Sequence, residues 1–168
     1  MRPAVVTAVL LLVGVLDAVT AQDMPSALGF CERYPDVPCD GGWIRINDER
    51  CAKLIETKKT FQDAQEHCEN TFDGNLVSLH DEDEMISTLC MTLRADPHIQ
   101  TVWIGGKKSG EVFTFNDGSK FNYPAWKIGE PDNAGGDQDC VEADMTMWGF
   151  CSDAPCSEVN SFVCAKNM

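Results

Sequence analysis

The segment from Gly129 to Cys140, GEPDNAGGDQDC, contains the residue types that could hold a hard cation. It combines carboxylates, amides and glycines with one proline, and it has no aliphatic side chain larger than that of Ala134. Such a composition excludes a core strand or a buried helix. The segment is therefore either an ordinary solvated loop or a loop that binds a hard cation through oxygen ligands.

The chain around this segment is strongly acidic. It has 168 residues and a formal net charge of −14, and 43% of its residues are hydrophobic. That length suits one domain, and the hydrophobic share is sufficient for a packed core. A strongly negative surface repels nucleic acid and anionic lipid, so we expect no nucleic-acid partner. The charge fits a plain soluble secreted protein as well as one that binds a cation.

Residues 1–21 have the pattern of a secretory signal. Arg2 provides a positive start, an apolar run extends from Ala4 to Leu16, and Val19 and Ala21 supply small residues at the spacing that a signal peptidase requires. The apolar run is too short to span a bilayer. We therefore predict removal of the signal after Ala21, no membrane span, and a secreted, extracellular protein.

Nine cysteines occur in the sequence, and after a secretory signal they predict disulfides. No C-x-x-C pair is present, which argues against a zinc site. Because nine is odd, at least one cysteine must be free or bonded to another chain. The nine are Cys31, Cys39, Cys51, Cys68, Cys90, Cys140, Cys151, Cys156 and Cys164.

The elements that must position the acidic loop begin after a short N-terminal extension, residues 22–38. Alternating apolar residues predict strands at 42–46 and 51–55, joined by a turn. A disulfide between Cys39 and Cys51 would link the two strands of this hairpin.

Two helices are predicted next. Thr60 is a candidate N-cap, with Asp63 in a capping-box-like position, and the helical spacing that follows places Cys68 on the buried face. The second helix begins with the acidic run 81–84, which favours the positive end of the helix dipole and is interpreted as a dipole and solubility feature. Its apolar stripe is Met85, Ile86, Leu89, Cys90 and Leu93.

After the second helix the sequence predicts strands, and from Gly106 to Asp139 it has no helical pattern. Residues 102–106 predict a buried strand, and 140–143 and 161–164 predict two closing strands. Between the first and second of these strands lies a long irregular segment, in which interleaved aromatic residues favour an ordered loop.

Eight short motifs follow one another along the chain: Cys39-x-x-Gly-Trp43, Ala64 with Cys68, Leu76-Val-Ser-Leu79, Trp103-Ile-Gly-Gly106, Glu130-Pro-Asp132, Asp139-Cys-Val141, Cys156 and Phe162-Val-Cys164. In this order and spacing, the motifs resemble a long-form C-type lectin-like domain, closest in look to secreted invertebrate C-type lectins. The resemblance implies an α+β fold with two helices, small antiparallel sheets and a long calcium-site loop, stapled by disulfides. It extends from Cys39 to Cys164, so we assign residues 39–168 to this domain.

The resemblance also implies three disulfides, which are Cys39–Cys51, Cys68–Cys164 and Cys140–Cys156. Three cysteines remain outside this framework. We pair Cys90 with Cys151, because both lie on segments expected to be buried. Cys31 in the extension is then the candidate for a bridge to another chain, giving a disulfide-linked homodimer.

For calcium, the resemblance implies one site with five ligands. In the family, a cis peptide before the proline turns its two neighbours toward one point; here these are Glu130 and Asp132. Gln138 stands where the family usually has glutamate, Ser152 where it has asparagine, and Asp153 where it has aspartate; Cys151 replaces a tryptophan. The predicted metal ligands are Glu130, Asp132, Gln138, Ser152 and Asp153. A second site is not expected, because Lys107 and Lys108 occupy its region.

The predicted function is calcium-dependent carbohydrate binding by a secreted lectin, with glycans or glycoproteins as partners. Its sugar site would be an atypical Glu-Pro-Asp site, and the residues expected to contact the ligand are Glu130, Asp132, Gln138 and Ser152. The alternative is a lectin-like domain with a degenerate calcium site that binds a protein or another non-sugar ligand. An enzyme is not expected, because the sequence has no nucleophile elbow, phosphate loop or metalloprotease helix.

Overall fold

Three helices and nine strands make up the part of the chain that the computed structural model describes, residues 27–168. The predicted signal, residues 1–21, lies outside the described residues. The helices are α1 (Ala27–Cys31), α2 (Phe61–Phe72) and α3 (Glu82–Ala95). The strands are β1 (Pro38–Cys39), β2 (Trp43–Arg45), β3 (Arg50–Lys59), β4 (Asn75–Leu76), β5 (Thr101–Ser109), β6 (Val112–Phe115), β7 (Cys140–Asp144), β8 (Phe150–Ala154) and β9 (Asn160–Asn167).

Helix α2 begins as its sequence predicts. The Thr60 hydroxyl accepts the backbone N–H of Asp63 at 3.2 Å and donates to the Asp63 carboxylate at 2.8 Å. This exchange satisfies one of the free N–H groups at the helix start. The predicted buried face, which includes Ala64 and Cys68, faces the core.

Helix α3 is capped by Asp81, whose carboxylate accepts the N–H of Glu84 at 2.9 Å. Glu84 itself is buried and forms an ion pair with Arg50 at 2.8 Å. The acidic first turn therefore does more than complement the helix dipole, because one of its carboxylates links α3 to the start of β3.

The strands form one mixed sheet in the order β1-β2-β3-β9-β5-β7-β8, with β4 added to β9 and β6 added to β5. All neighbours are antiparallel except β5 and β9, which pair in parallel through Val102–Ser161 and Trp103–Phe162. This pair joins the small antiparallel units that the sequence predicts into one sheet, and the α+β class is confirmed.

The core lies between the sheet and the helices. Its largest fully buried side chains include Trp103, Phe61 and Phe162, and the rings of Phe61 and Trp103 meet edge to face at 5.7 Å. Trp103 also donates its ring N–H to the carbonyl of Lys59 at 2.9 Å, so its one polar atom is satisfied. No helix of the described residues combines the length and the apolar character that crossing a membrane requires.

Three of the predicted disulfides are present: Cys39–Cys51, Cys68–Cys164 and Cys140–Cys156. The second ties α2 to β9, and the third closes the base of the acidic loop.

The remaining cysteines pair differently from the prediction. Cys31 is bonded to Cys90, so the predicted Cys90–Cys151 pair is wrong, and Cys31 is not available for the predicted bridge to a second chain. The reason is that α1 packs on α3 and brings the two Cα atoms to 5.3 Å. Cys151 is left as the free cysteine of the described residues, and it is buried.

The described part of the N-terminal extension is therefore packed on the domain. Cys31 is fully buried, and β1, which includes Pro38, pairs with β2. The boundary between extension and domain at residue 39 remains a prediction.

Candidate functional site: an acidic cluster on the long loop

The long loop is ordered by its own aromatic residues. Phe121 contacts Phe113, Phe115 and Trp126, with ring centroids 4.8 to 5.7 Å apart. These rings tie the loop to the β5–β6 hairpin, as the interleaved aromatic residues predict.

Where the loop approaches the acidic segment, it runs beside β8. The backbone N–H of Cys151 donates to the carbonyl of Ala125 at 2.6 Å, and the backbone N–H of Lys127 donates to the carbonyl of Cys151 at 2.8 Å. This pairing sets the acidic segment next to Ser152 and Asp153 of β8. Strand β8 was not among the predicted strands, although it positions two of the five predicted ligands.

Three carboxylates converge at this point. Glu130, Asp132 and Asp153 each place one carboxylate oxygen within 4.8 Å of the other two. The peptide bond between Glu130 and Pro131 is cis. Like charges at this spacing repel each other, and a divalent cation among them would remove that repulsion.

Asp153 holds the loop in place through two hydrogen bonds. Its two carboxylate oxygens accept the backbone N–H groups of Asp132 at 3.1 Å and Asn133 at 2.9 Å, and the side chain is buried. A carboxylate oxygen has two lone pairs, so each oxygen can accept this hydrogen bond and still ligate a cation.

Three side-chain oxygens in the same two segments are buried without a hydrogen-bond partner among the described residues, and one of them belongs to Glu130 of the cluster. They are Glu130 Oε2, Gln138 Oε1 and Ser152 Oγ. A buried polar atom without a partner is costly, and it calls for an explanation such as an ion. All three belong to the five residues that the resemblance implies as ligands, so the donor set fits a cation with a preference for oxygen.

Asn133 organises the far side of the loop, and sequence reasoning missed it. Its backbone is in the left-handed region with φ 47°, and its side-chain oxygen accepts the N–H of Gln138 at 3.1 Å. An asparagine just before Ala134-Gly135-Gly136 is a turn signal that could have revealed this role.

The pKa of Glu130 reflects the negative charge of the cluster. Burial raises the pKa of its carboxyl group, and the contact with Asp153 and the negative charge of Asp132 raise it further. Lys127 opposes this shift only in part. The cluster therefore carries excess negative charge that no described side chain neutralises fully.

A comparison of the sequence with protein families matches residues 57–166 to the Lectin C-type domain family. The chain belongs to the C-type lectin domain family. A C-type isolectin, Sp-CL4 of Scorpaena plumieri, is 42% identical over 142 residues, which cover 84% of this chain and 97% of that protein. The galactose-specific lectin nattectin of Thalassophryne nattereri is 32% identical over 133 residues, covering 77% of this chain and 81% of nattectin.

Among solved structures, human lithostathine aligns with this C-type lectin domain with a TM-score of 0.72 and 26% identity. The alignment covers 77% of this chain and 100% of lithostathine. Both sequence relatives named above are fish proteins, so the likeness to invertebrate members remains a prediction.

Proposed function

We propose that this C-type lectin domain is a secreted, calcium-dependent carbohydrate-binding protein with one atypical calcium site. Glu130, Asp132, Gln138, Ser152 and Asp153 would hold the ion. The observation that carries the proposal is the coincidence of two features in one place. Three carboxylates lie within 4.8 Å of one another, and Glu130, Gln138 and Ser152 each have a buried oxygen without a partner.

Calcium, when bound, offers coordination positions to two neighbouring hydroxyls of a sugar. The residues of this chain then decide which hydroxyls fit, because each hydroxyl donates one proton and accepts one hydrogen bond. Glu130 and Asp132 are both acceptors when ionised. Gln138 and Ser152 supply donors and no carboxylate.

In the family that this chain resembles, acid and amide side chains alternate around the ion. The arrangement of Glu130, Asp132, Gln138 and Ser152 differs from that alternation. A hydroxyl between Glu130 and Asp132 has one proton for two acceptors, so one of these acceptors loses its partner when the sugar displaces water. An unmatched polar partner lowers affinity by about tenfold to a hundredfold. We infer weak binding of simple mannose and galactose, and a different diol or a multivalent glycan as the ligand.

Secretion is the second part of the proposal. It rests on the signal-like sequence of residues 1–21 and on the four disulfides of the described residues, which are typical of oxidising compartments.

A non-sugar ligand is the alternative, and one observation favours it. Ser152 and Asp153 are only 5% and 3% exposed, and both oxygens of Asp153 already accept backbone N–H groups. A loop that is held in shape by its own hydrogen bonds can remain folded without an ion. Its surface would then be available to a protein or another non-sugar ligand.

A calorimetric calcium titration decides whether the site is active, and a glycan array with calcium or with chelator then decides the ligand class. We expect weak calcium binding, with Kd on the order of 10⁻⁴–10⁻³ M as in other extracellular sites. Retention of glycans only in calcium supports the sugar function. Calcium binding without any glycan signal supports the alternative, and equal thermal stability in calcium and chelator with no heat of binding shows that the metal site is vestigial.

A further inference from the structure

A small apolar cavity lies away from the acidic cluster, between α3 and the turn that follows β7. Its volume is about 190 Å³. It is lined by three aromatic side chains, namely Phe30, Trp148 and Phe150, and by Met85, Ile86 and Leu89 of α3. Phe30 lies before residues 57–166, which match the family model, whereas the other residues that line the cavity lie within that range.

Hydrogen bonds and an ion pair hold the turn that carries Trp148. Asp144 accepts the N–H groups of Thr146 at 2.9 Å and Met147 at 3.2 Å, and it forms an ion pair with Lys127 at 3.0 Å. Gly149 donates its N–H to the carbonyl of Asp144 at 2.8 Å, which closes the turn.

This turn holds Trp148 in a backbone conformation that such a residue seldom adopts. Its φ is 61°, in the left-handed region that is unfavourable for a bulky side chain. The indole ring rests edge-on against Phe30, with centroids 5.1 Å apart. Trp148 is nevertheless 40% exposed, beside Phe150 at 38% and Met147 at 51%. The fold therefore maintains an aromatic surface in water, where burial would be favourable.

The rim of the cavity is acidic. Glu82 lines it, and the neighbours of Glu82 along the chain are also acids, Asp81 at the N-cap of α3 and Asp83 in its first turn. The charges of Glu82 and Asp81 reach Tyr123, where they add to the effect of burial in raising the pKa of the phenol. Arg33 lies over the ring of Phe30 at 5.5 Å but does not line the cavity.

These features favour one kind of occupant. An apolar floor of this size accommodates one aliphatic or aromatic side chain, and aromatic anchors surrounded by water-excluding contacts carry most of the energy of protein interfaces. The acidic rim and the net charge of −14 attract basic groups and repel acidic ones.

We propose that the surface formed by Phe30, Trp148, Phe150 and Glu82 is a docking site for a basic protein segment. The segment inserts one apolar side chain into the cavity and places flanking lysine or arginine residues on the rim. This interaction is independent of calcium, and it goes beyond the proposed carbohydrate function.

A peptide titration tests this. The probe is a fluorescein-labelled peptide with a central leucine flanked by lysines, and its anisotropy is followed with the mature chain in chelator. We expect saturable binding that weakens at least about tenfold when the leucine is replaced by serine, and that disappears when the lysines are replaced by glutamates.

Variants locate the site. Trp148→Asn removes the ring and keeps a residue that tolerates a positive φ, so it should weaken peptide binding at least about tenfold. Glu82→Gln should weaken it about twofold to fivefold and reduce its salt dependence. Val112→Asn, at a valine that is 61% exposed on β6, is the matched control and should leave binding unchanged. Phe150→Ser replaces Trp148→Asn if the latter does not fold.

Three results would overturn the proposal. The leucine and serine peptides bind equally, or Trp148→Asn binds like the unaltered chain. Alternatively, sedimentation shows a concentration-dependent dimer that Trp148→Asn abolishes, in which case the occupant is a second copy of this chain. None of these results depends on calcium, so the carbohydrate function can fail or succeed separately.

Discussion

The carboxylate of Asp153 accepts the backbone N–H of Asn133 at 2.9 Å, which joins strand β8 to the acidic loop. The same carboxylate belongs to the three-acid cluster. One buried side chain thus both shapes the loop and is a candidate ligand, so loop conformation and cation binding are coupled through it.

Replacing Asp153 should affect both properties. Asp153→Ala removes a carboxylate and leaves the N–H groups of Asp132 and Asn133 without their acceptor, which costs about 1–3 kcal/mol of unfolding free energy. We expect loss of calcium binding by calorimetry and a lower melting temperature even in chelator. Asp137→Asn, at an exposed acid of the same loop, is the control and should change neither strongly. Calcium affinity in Asp153→Ala equal to that of the unaltered chain would exclude Asp153 as a ligand.

Calcium binding should weaken as the pH falls, beginning above the usual range for a glutamate. The pKa of Glu130 is raised by burial and by the neighbouring acids, so its protonated form is favoured when no cation is present. Calcium must displace that proton, and acid therefore competes with calcium. Titrations between about pH 7 and about pH 5 measure this competition.

The same shift sets the sign of a stability effect without calcium. A carboxyl group with a raised folded-state pKa favours folding when protonated, so in chelator the stability contributed by Glu130 falls as the pH rises through that pKa. Glu130→Gln should flatten this dependence. In the calcium titrations of the unaltered chain, an affinity that stays constant between about pH 7 and about pH 5 would contradict the role of Glu130.

The thiol of Cys151 should be inert in the folded protein. Burial raises its pKa to about 12, and the side chain is 2% exposed. The reactive thiolate is therefore scarce and inaccessible. We expect no alkylation by iodoacetamide under native conditions and labelling of Cys151 after unfolding without reductant, as measured by mass spectrometry. Fast native labelling would show that β8 opens readily.

The disulfide between Cys31 and Cys90 should stabilise the fold. Because it occupies Cys31, we expect no disulfide between two copies of the chain. The Cys31–Cys90 bond links residues 59 positions apart, and replacing both cysteines by alanine should cost about 2–4 kcal/mol of unfolding free energy. Denaturant titration measures the loss, and Cys151→Ala is the control for replacing a buried cysteine. A dimer on a non-reducing gel, or Cys31 mapped to an interchain bond, would contradict this pairing.

Exchanging one acid and one amide should alter sugar preference. The double change Asp132→Asn with Gln138→Glu restores alternating acid and amide around the ion, so mannose-type binding should increase about tenfold to a hundredfold. Affinity retention on a mannose column in calcium measures it, and each single change serves as a control. Strong calcium-dependent retention of the unaltered chain would show that the counting of donors and acceptors is wrong.

Much of this protein was determined by short-range patterns in the sequence. The Thr60 cap and the acidic start at Asp81 predict where α2 and α3 begin, because capping is decided within about one helical turn. The motifs from Cys39 to Cys164 also carried the family resemblance and three of the four disulfides, since their order along the chain is itself the signal.

Tertiary structure decided the rest. The partner of Cys31 depends on how α1 packs on α3, and β8 forms because β7 and the stem of the long loop pair with it from either side. The placement of Trp148 depends on Asp144, Lys127 and the surface of α3 together. Each of these contacts joins segments that only the complete fold brings together. Local propensity depends only on residues that are near each other in sequence. It therefore does not determine these long-range contacts.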